Sequence, residues 1–237
     1  MVDLSYTRDR NPEEHFDSLR LREHPPFNNL INANVLIAGG GEAFVALALA
    51  ACFYKGTKFT NLDLYPGEYS QDIKQAFANV GKNFQECCKR VQNIAGNFAT
   101  SEIAPDNFLE VWTLYAMTVW AQSIDVLKLF WLRSAYAVKP GGVIRAYPVG
   151  SAYTDTLEMI MHLHRNYGFE DHSMGELEWT NATALLVAPK DKALVNKSIK
   201  QEIDKIMSTS SELGPIEVKL NEKIWKVGAA EKLVKAF

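Results

Sequence analysis

Three consecutive glycines followed by an acid, Gly39, Gly40, Gly41 and Glu42, interrupt the stretch NVLIAGGGEAFVALALA at residues 34–50. A β-branched and aliphatic run enters this turn, and an alanine- and leucine-rich helix former leaves it. Glycine has no Cβ, so the chain can reverse tightly there and a ligand can approach the backbone closely. A helix starting near Glu42 aims its unpaired N–H groups at whatever sits in the turn. The next apolar stretch, KFTNLDLYP, carries Asp63, 22 residues beyond Gly41. At about that interval an acid accepts hydrogen bonds from a ribose diol. Glycine turn and acid together point to a ligand that carries a nucleoside.

Such residues must be held by a sheet. Residues 34–38, 58–64, 90–95, 108–114 and 142–147 read as strands, and 42–54, 69–89 and 122–137 as helices. Strands and helices alternating at this length imply a mostly parallel sheet with helices on both faces. Beyond residue 150 come a helix, TDTLEMIMHLHRNYG, then GFEDHSM and the strand ATALLVAPK. The last two pair as an antiparallel edge hairpin. Ahead of the glycines, NPEEHFDSLRLRE (11–23) opens with Asn, Pro and two acids, which predicts a helix that HPPF then breaks. The lysine-rich stretch 191–237 predicts an amphipathic helix over NKSIKQEIDKIM, a short strand in LGPIEVKL and a last helix over NEKIWKVGAAEKLVKAF. Three parts result: an N-terminal helical segment (1–30), an α/β core (31–190) and a C-terminal helical extension (191–237). The extension is expected to pack on the core or on a second subunit, as in a homodimer.

Composition narrows the class of function. The formal net charge is −3, from 25 basic and 28 acidic residues, and no basic stripe suggests a nucleic-acid surface. The cysteines are Cys52, Cys87 and Cys88, an odd number with two adjacent, which is no disulfide framework. No CxxC or His/Cys cluster has metal-ligand spacing, so no metal is expected. The start, MVDLSYTRDRNPEEHF, is too charged for a signal peptide, and no apolar run approaches the ~20 residues of a membrane helix. A soluble cytoplasmic protein is the expectation, with neither a membrane nor a nucleic acid as partner.

The third and fourth strands identify the ligand class by resemblance. GNFATSEIAPDNFLEV and LRSAYAVKPGGVI resemble the class I S-adenosylmethionine-dependent methyltransferases, in which a polar residue follows the third strand, PDxSFDxV opens the fourth and RxLKPGG precedes the fifth. The resemblance covers roughly residues 30–190. It implies a Rossmann-like, seven-stranded, mostly parallel sheet with an antiparallel edge hairpin and S-adenosylmethionine as cofactor. Gly39 and Gly41 then match the methionine-binding loop, with Gly40 and Glu42 beside them, and Asp63 the acid on the ribose. Leu64 would flank adenine, Asn97 would read its amine and Phe98 would cover its ring. Tyr115 lies where cofactor and substrate meet. The N-terminal segment would form a lid, bringing Tyr6 and His15 to the pocket. Three positions depart from the family pattern: Ile37 where an acid is usual, Ala43 for the third glycine and Glu110 for the Asp of FDxV.

The implied activity is methylation of a small molecule at oxygen or nitrogen. The methyl donor is already activated, so the protein mainly positions the nucleophile and excludes water. Tyr115, Trp120, Tyr147, Tyr153, His162 and His164 are the side chains near strand ends or in the later helix. A Tyr or His among them could take a proton, with Tyr115, His162 and Tyr153 the candidate catalytic residues. His162 and His164 are two apart and so face different sides of a helix. Trp112, Trp120 and Trp131 sit in apolar stretches and read as core. No Asp/Asn-Pro-Pro-aromatic segment follows the fourth strand, against methylation of DNA bases. Two alternatives stay open. VLIAGGGEAF is similar to the VLIIGGGDGG of aminopropyltransferases of polyamine synthesis, although VWTLYAMTVWA lacks the acids those enzymes carry. A catalytically inactive binding or scaffold protein could keep the same fold. An NAD-dependent dehydrogenase fits less well, since the third glycine is missing and PGG is foreign to it.

Overall fold

The structure, a computed structural model, describes residues 2–3, 32–39, 56–64, 84–114, 121–149, 153–173, 182–220 and 223–236. In chain order its strands are β1 (Val2–Asp3), β2 (Asn34–Ala38), β3 (Lys58–Asp63), β4 (Val91–Ala95), β5 (Phe108–Leu114), β6 (Val138–Tyr147), β7 (Glu170–Asp171), β8 (Ala184–Val187), β9 (Ile216–Leu220) and β10 (Lys223–Val227). Its helices are α1 (Phe84–Cys88), α2 (Ile124–Ala137), α3 (Tyr153–Tyr167) and α4 (Ala193–Thr209). The helices expected over 11–23 and 42–54 lie outside the described residues. Of the helix expected over 69–89, α1 is the described part. Among the described residues, no helix is long and apolar enough to cross a membrane.

Strands buried on both faces read as unbroken apolar runs, and β2 obeys this, with Val35 to Ala38 all buried; Phe59 to Asp63 of β3 are buried as well, although Thr60, Asn61 and Asp63 are polar. Seven strands form one sheet in the order β4-β3-β2-β5-β6-β8-β7. The pairs from β4 to β6 are parallel, and β8 runs antiparallel to both β6 and β7. The expected Rossmann-like sheet with an antiparallel edge hairpin is therefore present. From β2 the chain moves outward through β3 and β4, then returns to place β5 on the other side of β2. At such a reversal the loops diverge and leave a crevice above the carboxyl ends of the strands.

Alternation sorts the central side chains. Leu36, Ala38, Val111, Ile144, Ala146 and Leu186 share a core with α2, α3 and α4. Helix α2 is buried nearly all round, from Val126 to Ala137, as a helix between a sheet and two others must be. Its first turn is capped by Ser123, whose Oγ accepts from the Val126 N–H. The opposite face carries Phe59 and Trp112, with rings 6.0 Å apart, and a buried ion pair. There Glu110 accepts from Arg145 Nε at 2.8 Å and from Trp112 Nε1. Glu110, unusual for the family motif, thus ties β5 to β6.

The KPGG segment was expected to end a helix and start a strand near 142. Instead β6 begins at Val138, directly after α2, and KPGG lies within it as a bulge. Phe108 pairs with Val138 and Glu110 with Val143, so residues 139–142 bulge opposite Leu109 alone. Both glycines are needed, for different reasons. Gly141 has φ 71°, and a Cβ on Gly142 would stand 2.3 Å from the Leu109 carbonyl oxygen.

The last expected helix, over 221–237, is corrected. Residues 223–227 form β10, antiparallel to β9, and Val2–Asp3 adds in parallel on the other side of β9. The reason is period-two alternation: Ile224 and Lys226 are exposed while Trp225 is half-buried and Val227 buried. Among its described residues the extension is thus helical only in α4. The described part of the N-terminal segment, Val2–Asp3, is a strand. Beyond β10 the chain runs alongside residues 97–107. Val234 bridges Ile103, and the Ala236 N–H reaches Asn107 Oδ1. This segment lies beside the short β4–β5 connection, which contains no helix.

Candidate functional site

Gly39 and the acid meet at neighbouring strand ends. Gly39 follows β2 in a left-handed conformation, φ 77°, and its N–H donates to the Leu62 carbonyl at 2.9 Å. Glycine adopts this φ at little cost, and other residues resist it. Asp63 ends β3, 6% exposed, and its carbonyl accepts from the Gly96 N–H at 2.8 Å. Thr113 Oγ1 donates to the Ala38 carbonyl at 3.0 Å, fastening β5 to β2 beside the turn. Gly39, Asp63, Leu64 and Asn97 thus gather at the carboxyl ends of three adjacent strands, spaced about 4.8 Å apart, next to the reversal. Gly40, Gly41, Glu42, Tyr115, Trp120, Tyr6 and His15 lie outside the described residues.

Two expected base contacts are engaged within the chain itself. Phe98 is 2% exposed and packs on Phe130 of α2, ring centroids 5.5 Å apart, so its ring belongs to the core. Asn97 Oδ1 accepts from the Ala99 N–H at 3.0 Å, and its carbonyl accepts from Ser101 Oγ at 2.7 Å. A purine amine would have to share that amide oxygen. Arg133 of α2 holds the same loop, with Nε donating to the Ala99 carbonyl at 2.7 Å and Nη1 to that of Ser101. Burial lowers the Arg133 pKa to about 10, against the opposing pull of Asp204 and Glu102.

The later aromatic and histidine candidates separate. Tyr147 ends β6, and Tyr153 opens α3 a few residues on, toward the carboxyl side of the sheet. His162 stands nine residues further along that helix, about 13 Å away at 1.5 Å per residue. Its Nε2 lies 2.9 Å from Glu202 of α4, which also accepts from Tyr167 Oη. His164 is half a turn beyond and contacts the Phe169 carbonyl at 2.7 Å. Both histidines knit α3 to its surroundings at the end away from the glycine turn. His162 is thus engaged with Glu202 and is not brought together with Tyr153. Trp112 and Trp131 are fully buried core residues. Among the described residues, no group of His, Cys, Asp or Glu is placed to hold a metal ion.

Sequence reasoning missed the residues that surround this loop from a distance. Trp225 Nε1 donates to the Leu64 carbonyl at 3.0 Å, the Gly228 carbonyl accepts from the Asn97 N–H at 2.8 Å, and the Ala230 N–H reaches Ser101 Oγ at 2.9 Å. A signal was present: IEVKL and KIWKV are separated by the two residues Asn221 and Glu222, a spacing suited to a tight hairpin.

The strand order is that of the class I Rossmann-like fold, shared with solved S-adenosylmethionine-dependent methyltransferases. An amino pentose methyltransferase from Micromonospora echinaspora, with S-adenosylmethionine bound, is similar at TM-score 0.53 and 11% identity, over 76% of this chain and 93% of that one. A similar O-methyltransferase from Thermotoga maritima, dependent on the same cofactor, gives TM-score 0.52 and 12% identity over 78% and 68% of the two chains. The methyltransferase SibL is 20% identical at TM-score 0.48 over 75% of this chain, which spans 56% of SibL's length. Neither a protein-family model nor a curated protein sequence matches the chain. Likeness at these identities speaks for the fold, and activity has to be argued from the site.

Proposed function

We propose that this chain binds S-adenosylmethionine at the carboxyl ends of β2, β3 and β4 and methylates a small molecule at oxygen or nitrogen. One observation carries the reading: a left-handed glycine and a buried carboxylic residue end adjacent strands beside the reversal of strand order. These residues fit the cofactor, since a turn without a Cβ admits its methionine portion and a strand-end carboxylate suits its ribose. When bound, S-adenosylmethionine supplies a methyl carbon activated by its sulfonium. The chain's own part is to bind, orient and exclude water. Gly39 would let the backbone close on the donor, with Gly40, Gly41 and Glu42 continuing that wall. Asp63 would hold the ribose hydroxyls and Leu64 would lie beside the base. Tyr153 and Tyr115 are the proposed proton acceptors for a substrate O–H or N–H.

Titration calorimetry tests this. S-adenosylmethionine and S-adenosylhomocysteine should bind at sub-millimolar level, and absence of both would end the enzyme reading. Asp63→Ala should weaken binding by ~1–3 kcal/mol, because the ribose hydroxyls lose their acceptor. An unchanged affinity would remove Asp63 from the site. The engagement of Phe98 and Asn97 within the chain favours a second reading, a protein that keeps the fold for binding or scaffolding without catalysis. Tight cofactor binding with no methylated product across oxygen and nitrogen acceptors would decide for it.

A further inference from the structure

We infer that the hairpin β9–β10 and the segment after it form a wall of the nucleoside site, with Trp225 as a positioning residue for the end of β3. This rests on the cofactor reading above. Within residues 225–230 the chain touches the carboxyl ends of both β3 and β4. Trp225 Nε1 holds the carbonyl of Leu64, the residue directly after Asp63, and Leu64 and Trp225 both pack against the cluster of Ile216, Val218 and Val227. Three residues on, the Gly228 carbonyl takes the Asn97 N–H. At Ala230 the contact is closest: a Cβ on Gly96 would meet both Ala230 Cβ and Ala230 N at 2.9 Å. Ser101 Oγ then joins the two segments, accepting from Ala230 N–H and donating to the Asn97 carbonyl.

The backbone that would present Asp63 and Leu64 to a nucleoside is thus fixed from outside the core by one indole N–H. The loop after β4 is fixed by two backbone contacts from the same segment. A ligand seated against Leu64 and Asn97 should tighten this docking, and the docking should raise affinity for the ligand by the same factor.

The experiment uses the full chain, with S-adenosylhomocysteine as probe. Calorimetry compares wild type with Trp225→Phe, which keeps an aromatic ring and removes the N–H. The bond also exists in the free chain, so only its tightening on binding counts, and the loss of affinity should be up to about fivefold, the worth of one net hydrogen bond. Hydrogen exchange of the wild type is followed with and without the probe. Slower exchange across 223–236 with probe present, and unchanged exchange across 193–209, is the expected pattern; a merely structural hairpin would not respond to ligand. If wild type binds but Trp225→Phe binds equally well and 223–236 exchanges at the same rate, the wall is refuted and the cofactor reading stands. If wild type itself fails to bind, the cofactor reading falls and takes the wall with it.

Discussion

Replacing Lys192 by Met should cost stability out of proportion to a single lysine. The side chain is fully buried where the chain enters α4, and its Nζ donates to Asp106 at 2.6 Å, Asn196 Oδ1 at 2.7 Å and the Tyr136 carbonyl at 3.0 Å. Burial pulls its pKa below the ordinary lysine value, while the hydrogen bond and charge of Asp106 pull the other way. Lys192→Met would leave a carboxylate, an amide oxygen and a carbonyl around a thioether. Breaking a buried pair from one side costs about 3–5 kcal/mol. The Asp106 side chain is 30% exposed, so water can reach it and about 2–3 kcal/mol is the better expectation. For a chain of this size that lowers Tm by roughly 5–10 °C, read by thermal or urea unfolding. Asp106→Asn is the natural second arm. At φ 49° an Asn is tolerated almost as well as an Asp, so the change removes charge without straining the backbone. The double variant should cost less than the two single costs together, because neither charge is left alone. A Lys192→Met protein melting within about 1 °C of wild type would refute the reasoning.

Other outcomes follow from contacts elsewhere. Gly142→Ala should abolish soluble expression or lower Tm steeply, since its Cβ would collide with the Leu109 backbone, whereas Gly141→Ala meets nothing within 4 Å and should cost only the strain of φ 71°, about 1 kcal/mol; equal melting temperatures for the two would contradict this. Burial, then the hydrogen bond to Glu202 and its charge, raise the Tyr167 pKa, so the folded state keeps a proton that the unfolded chain releases near pH 10. That contribution is complete below about pH 10 and is lost as pH climbs toward the folded value. The stability gap between wild type and Tyr167→Phe should therefore narrow as pH rises above about 10 in urea titrations, and a constant gap there would count against the assignment.

Much of the sheet was legible because burial on both faces leaves a mark in composition. NVLIA stands out as a strand without any partner in view, the FTNLD of β3 less so because three of its five residues are polar, and the glycine turn announces where β2 must end. The isoleucines of α4 were equally readable: Ile199 and Ile203 are buried at the spacing that predicted them. The final segment was misread because GAAEKLVKA has strong helix formers, and these outweighed the short alternation of KIWKV. Its partners decide the matter: Trp225 bonds to Leu64, 161 residues away. No local pattern encodes that distance. Phe98 failed for a related reason. An aromatic after a strand looks the same in sequence whether its ring faces a base or, as here, α2. His162 lies on the helix that follows β6, but only the run of α3 shows that it stands about 13 Å along from Tyr153.

The helix-free β4–β5 connection has a consequence for synthesis. Its lining is delivered by residues 228–236, with Ser101 awaiting Ala230 and Asn107 awaiting Ala236, each pair 129 residues apart. While the ribosome still holds that stretch, one margin of the nascent sheet has its loop but not its cover, and Gly96 lacks its contact with Ala230. Closure across such a span is slow compared with local contacts, so this margin is where a chaperone would find the half-made protein and where a stalled chain would be most prone to stick to another.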